Sequence, residues 1–299
     1  MLLTAAWVAG CSTFDERQRA WIFQPSDRSW GGSAEAARGM DNVWIEFQSK
    51  VTGQASQLHG LWIEADKPLV SLAADKMLKV NLPAQQGLLS AGFANDDRPV
   101  LLYLHGARWN VSGSAFRMRR MQELGFSVLG VDYRGFGKSS EGLPSEATAY
   151  EDARAAWDWL AANYPNRPRY IFGHSLGGPI AINLAAQVSD ERGTIVEGTF
   201  TSIADVVSTF KWGWVPISGL ITQRFEAIRK VDQVGSPLLV VHGGRDQLIA
   251  PELGRKLFDA AAEPKLFVLV EDGSHHNTNS VGQAQYKAAL AQLFKLDAR

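Results

Sequence analysis

Residues 173–178 read Gly-His-Ser-Leu-Gly-Gly and lie between two apolar runs. The run 169–172 before them is typical of a short buried strand, and the run 179–186 after them is typical of a helix. A Gly-x-Ser-x-Gly motif between a strand and a helix predicts a nucleophile elbow, a tight turn that exposes the hydroxyl of Ser175. Glycines flank such a turn because a Cβ atom there would collide with the neighbouring strand and helix. The N-terminus of the helix would stabilise an oxyanion beside the serine.

The composition is that of an ordinary globular protein. The chain has 299 residues, of which 45% are hydrophobic and 20% are charged, and its formal net charge is −1. This supplies ample material for a core. The near-neutral charge gives no electrostatic reason to expect a nucleic-acid partner.

The N-terminal residues 1–12 are apolar and end in small residues, but the segment is too short to span a bilayer as a helix. Its residues Val8-Ala9-Gly10-Cys11 resemble the lipobox of a bacterial lipoprotein signal peptide. The resemblance implies cleavage before Cys11 and attachment of lipid to that residue, which is the only cysteine of the chain. Several acyl chains on one residue would anchor the protein firmly to a membrane.

We therefore expect a signal segment at residues 1–10, a tether at 11–40 and one enzyme domain at 41–299. Ser12 implies, by the same resemblance, the bacterial cell envelope and the periplasmic side of the outer membrane. The alternative is a short apolar segment with an inert cysteine.

Periodicity along the chain predicts the order of secondary structure. Residues 43–50 and 57–64 are predicted to form an antiparallel pair of strands. From residue 99 onward, apolar strands alternate with helical segments, which predicts a mostly parallel central sheet with helices on both faces. Ligands of such sheets bind at the carboxyl ends of the strands. Residues 66–98 show little periodicity and are predicted to be an insertion.

Candidate partners for Ser175 follow the later strands. A serine is a poor nucleophile at pH 7, and it needs a base that is in turn oriented by a carboxylate. Asp246 comes directly after the strand predicted at 237–243; taken alone, it would be read as a loop or helix-capping residue. The loop after the last strand offers His275 and His276 as bases, and the other four histidines are assigned to structural hydrogen bonds. The chain order serine, aspartate, histidine is that of an α/β-hydrolase.

Five segments together carry a resemblance to a known family. With them the chain resembles bacterial α/β-hydrolases of the branch related to serine aminopeptidase-like hydrolases and to eukaryotic depalmitoylating ABHD-type enzymes. The resemblance covers about residues 99–299 and implies the α/β-hydrolase fold with a small cap. The segments are Leu-His-Gly at 104–106, Asp-Tyr-Arg-Gly-Phe-Gly-Lys-Ser at 132–139, the elbow at 173–178, Val-His-Gly-Gly-Arg-Asp at 241–246 and Asp-Gly-Ser-His at 272–275.

The resemblance also bears on the choice of base. Relatives often read Asp-Gly-x-His in the last segment, which favours His275. Others read Gly-x-Gly-His-Asn, which would place the base at His276, ahead of Asn277. We choose His275.

An oxyanion hole needs two backbone N–H groups. Leu176, which follows the nucleophile, offers one, and Ala107 is the candidate for the other. Relatives commonly carry His-Gly-Asn-Ala-Gly-Asn in this loop, whereas this chain places the bulky Arg108 and Trp109 there. A backbone donor survives that change, while the shape of the pocket is expected to differ.

Residues 203–235 contain many apolar and aromatic side chains, including Trp212 and Trp214, in the region where this fold commonly forms a cap. Such a cap would suit an acyl-bearing substrate. The alternative is that these side chains simply pack on the domain.

The sequence thus predicts a serine hydrolase that cleaves the ester or thioester bond of a small acyl substrate through an acyl-enzyme. Neither a metal ion nor another cofactor is implied. One alternative is a serine peptidase with the same triad, although nothing marks the acidic subsite that an aminopeptidase needs. The other is a non-catalytic envelope lipoprotein that retained the fold.

Overall fold

The computed structural model describes residues 2–26, 31–65, 98–209 and 218–296. Within these ranges eight strands form one sheet in the order β1-β2-β4-β3-β5-β6-β7-β8. The strands are β1 Asp41–Gln48, β2 Ala55–Ile63, β3 Val100–Leu104, β4 Ser127–Val131, β5 Arg169–His174, β6 Glu191–Glu197, β7 Leu238–Gly243 and β8 Lys265–Val270.

The sheet is mostly parallel. β1 pairs antiparallel with β2, and β2 pairs antiparallel with β4. All neighbours from β4 to β8 pair in parallel. The predicted antiparallel pair and the predicted fold class are both confirmed.

Helices cover both faces of the sheet. The helices Glu146–Asn163, Gly177–Ala185 and Pro251–Ala260 contribute to the hydrophobic cluster on one face, and the helices Ala115–Glu123 and Gln283–Ala289 contribute to the cluster on the other. The helices of the described ranges are α1 Leu2–Phe23, α2 Ser33–Ala36, α3 Ala115–Glu123, α4 Glu146–Asn163, α5 Gly177–Ala185, α6 Ile203–Ser208, α7 Pro251–Ala260, α8 Thr278–Val281 and α9 Gln283–Ala289.

Strand β3 is apolar at every position, and both of its faces are covered. Val100, Leu102 and Leu104 join the cluster on one face, while Leu101 and Tyr103 join the cluster on the other. Side chains alternate between the faces of a strand, so a strand covered on both faces needs apolar residues at every position. The loop that follows this strand at its carboxyl end therefore begins at a fully buried strand.

The segment after Cys11 departs from the expected tether. The helix α1 extends through it, and Phe23 at its end is fully buried, with its ring centroid 6.3 Å from that of Phe136 and 5.7 Å from that of Phe225. The physical reason is that this otherwise polar stretch ends in aromatic and aliphatic residues, which gain free energy by burial. The prediction of a tether is therefore wrong for residues 13–26.

Three further predictions fall wholly or partly outside the described residues. The insertion predicted at 66–98 lies outside them, apart from Arg98. The side chain of Cys11, the predicted lipidation site, also lies outside them. So do residues 210–217 of the predicted cap, which include Trp212 and Trp214. Among the described residues, no helix has the length and apolarity needed to cross a bilayer.

Candidate active site

The turn between β5 and α5 exposes Ser175 in a strained conformation. Its φ angle is +55°, in the left-handed region that side chains with a Cβ atom rarely adopt. A Cβ atom on Gly173 would lie 2.3 Å from the carbonyl oxygen of Gly177, and one on Gly177 would lie 2.1 Å from that of Leu104. The strand and the helix can approach this closely only with glycine at both positions, so the predicted elbow is present.

Ser175, His275 and Asp246 form a continuous hydrogen-bonded chain. The Nε2 atom of His275 lies 3.0 Å from Oγ of Ser175, and its Nδ1 atom lies 2.8 Å from Oδ2 of Asp246. The three residues follow β5, β8 and β7 respectively, at the carboxyl edge of the sheet. They reach one another because the carboxyl ends of neighbouring parallel strands meet at one edge.

The carboxylate of Asp246 is held rigidly and kept ionised. Its Oδ1 atom accepts hydrogen bonds of 2.9 Å from the backbone N–H groups of Leu248 and Ile249. Burial by itself would raise the pKa of Asp246, but hydrogen bonds from His242, His275 and the backbone outweigh burial and hold the pKa below its usual range. An ionised carboxylate at Nδ1 leaves the Nε2 atom of His275 free to accept a proton from the serine.

The structure distinguishes the two candidate bases by position. Both contacts that a base requires, to the serine and to the aspartate, go to His275, which is 7% exposed. The ring of His276 is exposed, and its centroid lies 6.4 Å from that of Trp109 at the pocket wall. The catalytic role of His275 stays a prediction, but its geometry is the one that the role requires.

A buried ion pair, not anticipated from the sequence, lies behind the histidine loop. Arg117 on α3 donates from Nη2 to the carbonyl oxygens of His275 and His276, both at 3.1 Å. Its Nε atom donates to Oε1 of Glu197, 3.0 Å away at the end of β6, and the other oxygen of Glu197 accepts from the hydroxyl of Tyr286. The available signal was a glutamate directly after the apolar pair Ile195-Val196 in a buried strand, because a buried carboxylate needs a cation or several donors.

His174 supports the same loop from within the elbow. Its Nε2 atom lies 3.1 Å from the carbonyl oxygen of His275. Burial, followed by the positive charge of Arg117, holds the pKa of His174 well below its usual value. The ring is therefore neutral, and Nε2 carries its proton because a carbonyl oxygen can only accept.

The other three histidines have the structural hydrogen bonds predicted for them. The partners are Asn42 for His59, the backbone carbonyl oxygen of Gly106 for His105 and that of Ile249 for His242, at 2.8, 2.7 and 3.0 Å.

The two candidate oxyanion donors, Ala107 and Leu176, both line the pocket that contains Ser175. Leu176 directly precedes α5, so its N–H group belongs to the electropositive helix terminus. Ala107 lies in the loop after β3, which lies against Ser175: a Cβ atom on Gly106 would lie 3.0 Å from Cβ of Ser175. Asp132 fixes the far end of this loop by accepting from the N–H group of Val111 at 2.6 Å.

The pocket beside Ser175 has a volume of about 260 Å³. Its apolar walls come from several places in the chain, and one of them, α6, is the start of the predicted cap. Further along the cap region, Phe225 and Val231 are fully buried in the main core, so this part packs on the domain. Among the apolar wall residues are Trp21, Ile22, Trp109, Phe200, Ile203, Val206, Val207, Leu248 and Ile249.

Comparison with known proteins gives a consistent result. The family model described as serine aminopeptidase, S33, matches residues 95–229, a range that contains Ser175 and ends before Asp246 and His275. The chain is 35% identical over 181 residues to the uncharacterized Mycobacterium tuberculosis protein Rv2307c, covering 60% of this chain and 63% of the relative. It is 34% identical over 187 residues to the Danio rerio lysophosphatidylserine lipase ABHD12, covering 56% and 48%. The matches thus span about half to two thirds of these relatives.

Solved structures agree on the fold. The Pyrococcus furiosus esterase Pf2001 has a TM-score of 0.62 at 17% identity, covering 91% of this chain and 95% of that one. A Mycobacterium tuberculosis puromycin-hydrolyzing peptidase has a TM-score of 0.61 at 17% identity, covering 86% of this chain and 40% of that one. At such identities the likeness shows the fold alone.

Proposed function

We propose that this chain, which has the α/β-hydrolase fold, cleaves carboxylic ester or thioester bonds by transferring the acyl group to Ser175. The observation that carries the proposal is the hydrogen-bonded chain from the serine through His275 to Asp246, with contacts of 3.0 and 2.8 Å. A serine, a base and an orienting carboxylate in this geometry are the groups that acyl transfer requires.

The reaction would proceed in two stages. Oγ of Ser175 attacks the carbonyl carbon while Nε2 of His275 takes its proton, and the oxyanion is held by the N–H groups of Ala107 and Leu176. Collapse of this intermediate expels the alcohol or thiol, which receives the proton from His275. A water molecule then attacks the acyl-enzyme, with the same histidine as base, and releases the carboxylic acid and the free serine.

The walls of the pocket favour an acyl substrate. Aliphatic and aromatic side chains surround the space beside Ser175, and the apolar part of an ester would gain free energy by leaving water there. The similarity to a lysophosphatidylserine lipase, which by its name acts on a lipid ester, supports the same class of substrate.

An aminopeptidase activity is less well supported. Such an enzyme needs a carboxylate to bind the substrate's amino group, and none of the described residues that line the pocket is Asp or Glu. Two arginines, Arg108 and Arg117, are among the lining residues instead. The cation of Arg108 would repel a protonated amine, whereas that of Arg117 is paired with Glu197.

The deciding experiment is hydrolysis of a p-nitrophenyl ester series, from acetate to palmitate, by the full chain and by Ser175→Ala. We expect turnover that depends on the serine, with a loss of several orders of magnitude in the variant. Nearly full activity in the Ser175→Ala variant would show that Ser175 is not the nucleophile. A chain that is neither active on any ester nor labelled by a fluorophosphonate would instead be a scaffold.

We also propose that Cys11 carries lipid and places the protein on the periplasmic side of the bacterial outer membrane. The support is the Val8-Ala9-Gly10-Cys11 sequence followed by Ser12. Metabolic labelling with a fatty-acid analogue should mark the wild-type chain and not Cys11→Ser. Equal labelling of both chains, or of neither, would overturn this proposal without touching the hydrolase assignment.

A further inference from the structure

We propose that the end of α1 is a positioning element of the active site, because it holds the oxyanion loop, residues 105–110, in its working shape. The inference rests on the proposed function, since it concerns how the loop presents the N–H group of Ala107. It assigns a role to Phe23 and Gln24, which the sequence alone placed in a tether.

Two hydrogen bonds join Phe23 and Gln24, at the end of α1, to the oxyanion loop. The backbone N–H group of Arg108 donates to the carbonyl oxygen of Phe23 at 2.8 Å. The Nε atom of Arg108 donates to Oε1 of Gln24, also at 2.8 Å. Phe23 and Gln24 therefore bind both the backbone N–H group and the side chain of Arg108, the residue that follows the candidate oxyanion donor Ala107.

The loop requires such support because its backbone is strained. Arg108 has a φ angle of +67° and Trp109 one of +52°, both in the left-handed region. Residues with a Cβ atom lose free energy there, and such conformations persist only where surrounding contacts impose them. The peptide between Ala107 and Arg108 is planar, so fixing the N–H group of Arg108 also fixes the plane that follows Ala107.

The end of α1 is itself held in place by the rest of the domain, so Phe23 and Gln24 can fix the position of the loop. Phe23 is fully buried between Phe136 and Phe225. One turn earlier, Arg19 donates from Nε to the carbonyl oxygen of Pro144 at 2.9 Å. Trp21, Ile22 and Gln24 also line the pocket that contains Ser175, so the segment contacts both the loop and the space for substrate.

A residue that positions the oxyanion donor and a residue that only stabilises the fold differ in how they affect the rates for different substrates. Loss of folded protein lowers the rate for every substrate by the same factor. Displacement of an oxyanion donor lowers the rate most for substrates whose transition state depends on that donor. An oxygen ester depends on it strongly, whereas its thiono analogue develops charge on sulfur, a weaker hydrogen-bond acceptor.

The test compares the rate ratio of a p-nitrophenyl ester and its thiono analogue in full-length chains, with active sites counted by a fluorophosphonate. Gln24→Ala and Arg108→Ala should each lower kcat for the oxygen ester by about tenfold with little change in KM, and should lower the ratio. The double variant should lose no more than the worse single variant, because both remove the same bond. Gln24→Glu, which keeps Oε1 as an acceptor, should restore most of the ratio. Arg17→Ala, an exposed position on the same helix, is the control.

An unchanged ratio in both single variants would overturn the inference, as would losses that simply add in the double variant. Wild-type chain with no serine-dependent turnover would be a failure of the proposed function instead. The two failures are therefore distinguished by the wild-type measurement alone.

Discussion

Arg117 and Glu197 form a buried ion pair, 3.0 Å from Nε to Oε1, directly behind the loop that presents His275. The Nη2 group of the same guanidinium donates to the carbonyl oxygens of His275 and His276. The pair thus connects α3 and the end of β6 to the histidine loop, and it places a charge-assisted hydrogen bond on the backbone of the candidate base.

Removal of this arginine should therefore cost both stability and activity. Arg117→Ala leaves the carboxylate of Glu197 buried without its cation, which destabilises the fold by about 3–5 kcal/mol. Turnover should fall as well, because His275 loses a backbone restraint. Arg120→Ala on the same helix is the matched control: its pair with Glu123 is exposed, so it should cost less than about 1 kcal/mol. Urea unfolding and ester hydrolysis measure the two effects, and equal losses in the two variants would contradict the prediction.

The stability of the fold should depend on pH through Asp246. Because its pKa is lower in the folded chain than in the unfolded chain, its stabilising effect is complete above the unfolded value of about 3.9 and is lost as pH falls below it. Asp246→Asn should therefore be less stable than the wild type at neutral pH, and the difference should shrink as pH falls below about 4. Unfolding free energies at a series of pH values test this, and a constant difference would argue against an ionised, stabilising carboxylate.

The elbow should tolerate no methyl group at its second glycine. In Gly177→Ala the new Cβ atom would lie 2.1 Å from the carbonyl oxygen of Leu104, so β3 and α5 must separate. We expect a loss of several kcal/mol in unfolding free energy and loss of turnover. Gly235→Ala provides the comparison, because nothing lies within 4 Å of its new Cβ atom. A Gly177→Ala chain as stable as Gly235→Ala would show that the elbow is looser than the structure indicates.

The wall formed by α6 should set the preferred length of the acyl chain. Val207 lines the pocket, so Val207→Phe should fill part of its volume of about 260 Å³. The optimum in the p-nitrophenyl ester series should shift to shorter chains, since longer ones would clash. Ser208→Phe places the same ring on an exposed neighbouring position and should leave the optimum unchanged. An unshifted optimum in Val207→Phe would mean that the acyl group lies elsewhere.

Much of the fold could be predicted because its signals are local. Apolar runs alternating with helical periods gave the parallel sheet, since burial on both faces imposes that pattern strand by strand. The elbow could be predicted because a tight turn with a positive φ angle at Ser175 requires glycines at fixed positions. The N-terminal segment was mispredicted because its polar composition concealed the buried Phe23 at its end.

The sequence by itself determined the order of the strands, the position of the predicted nucleophile and the set of residues from which its partners must come. Only the tertiary structure decided that His275 rather than His276 lies between Ser175 and Asp246. It also decided that Glu197 and Arg117, 80 residues apart, form a pair, and that Gln24 reaches Arg108 across 84 residues. Local patterns follow from the backbone geometry of each element, whereas contacts between distant residues depend on how the whole chain packs.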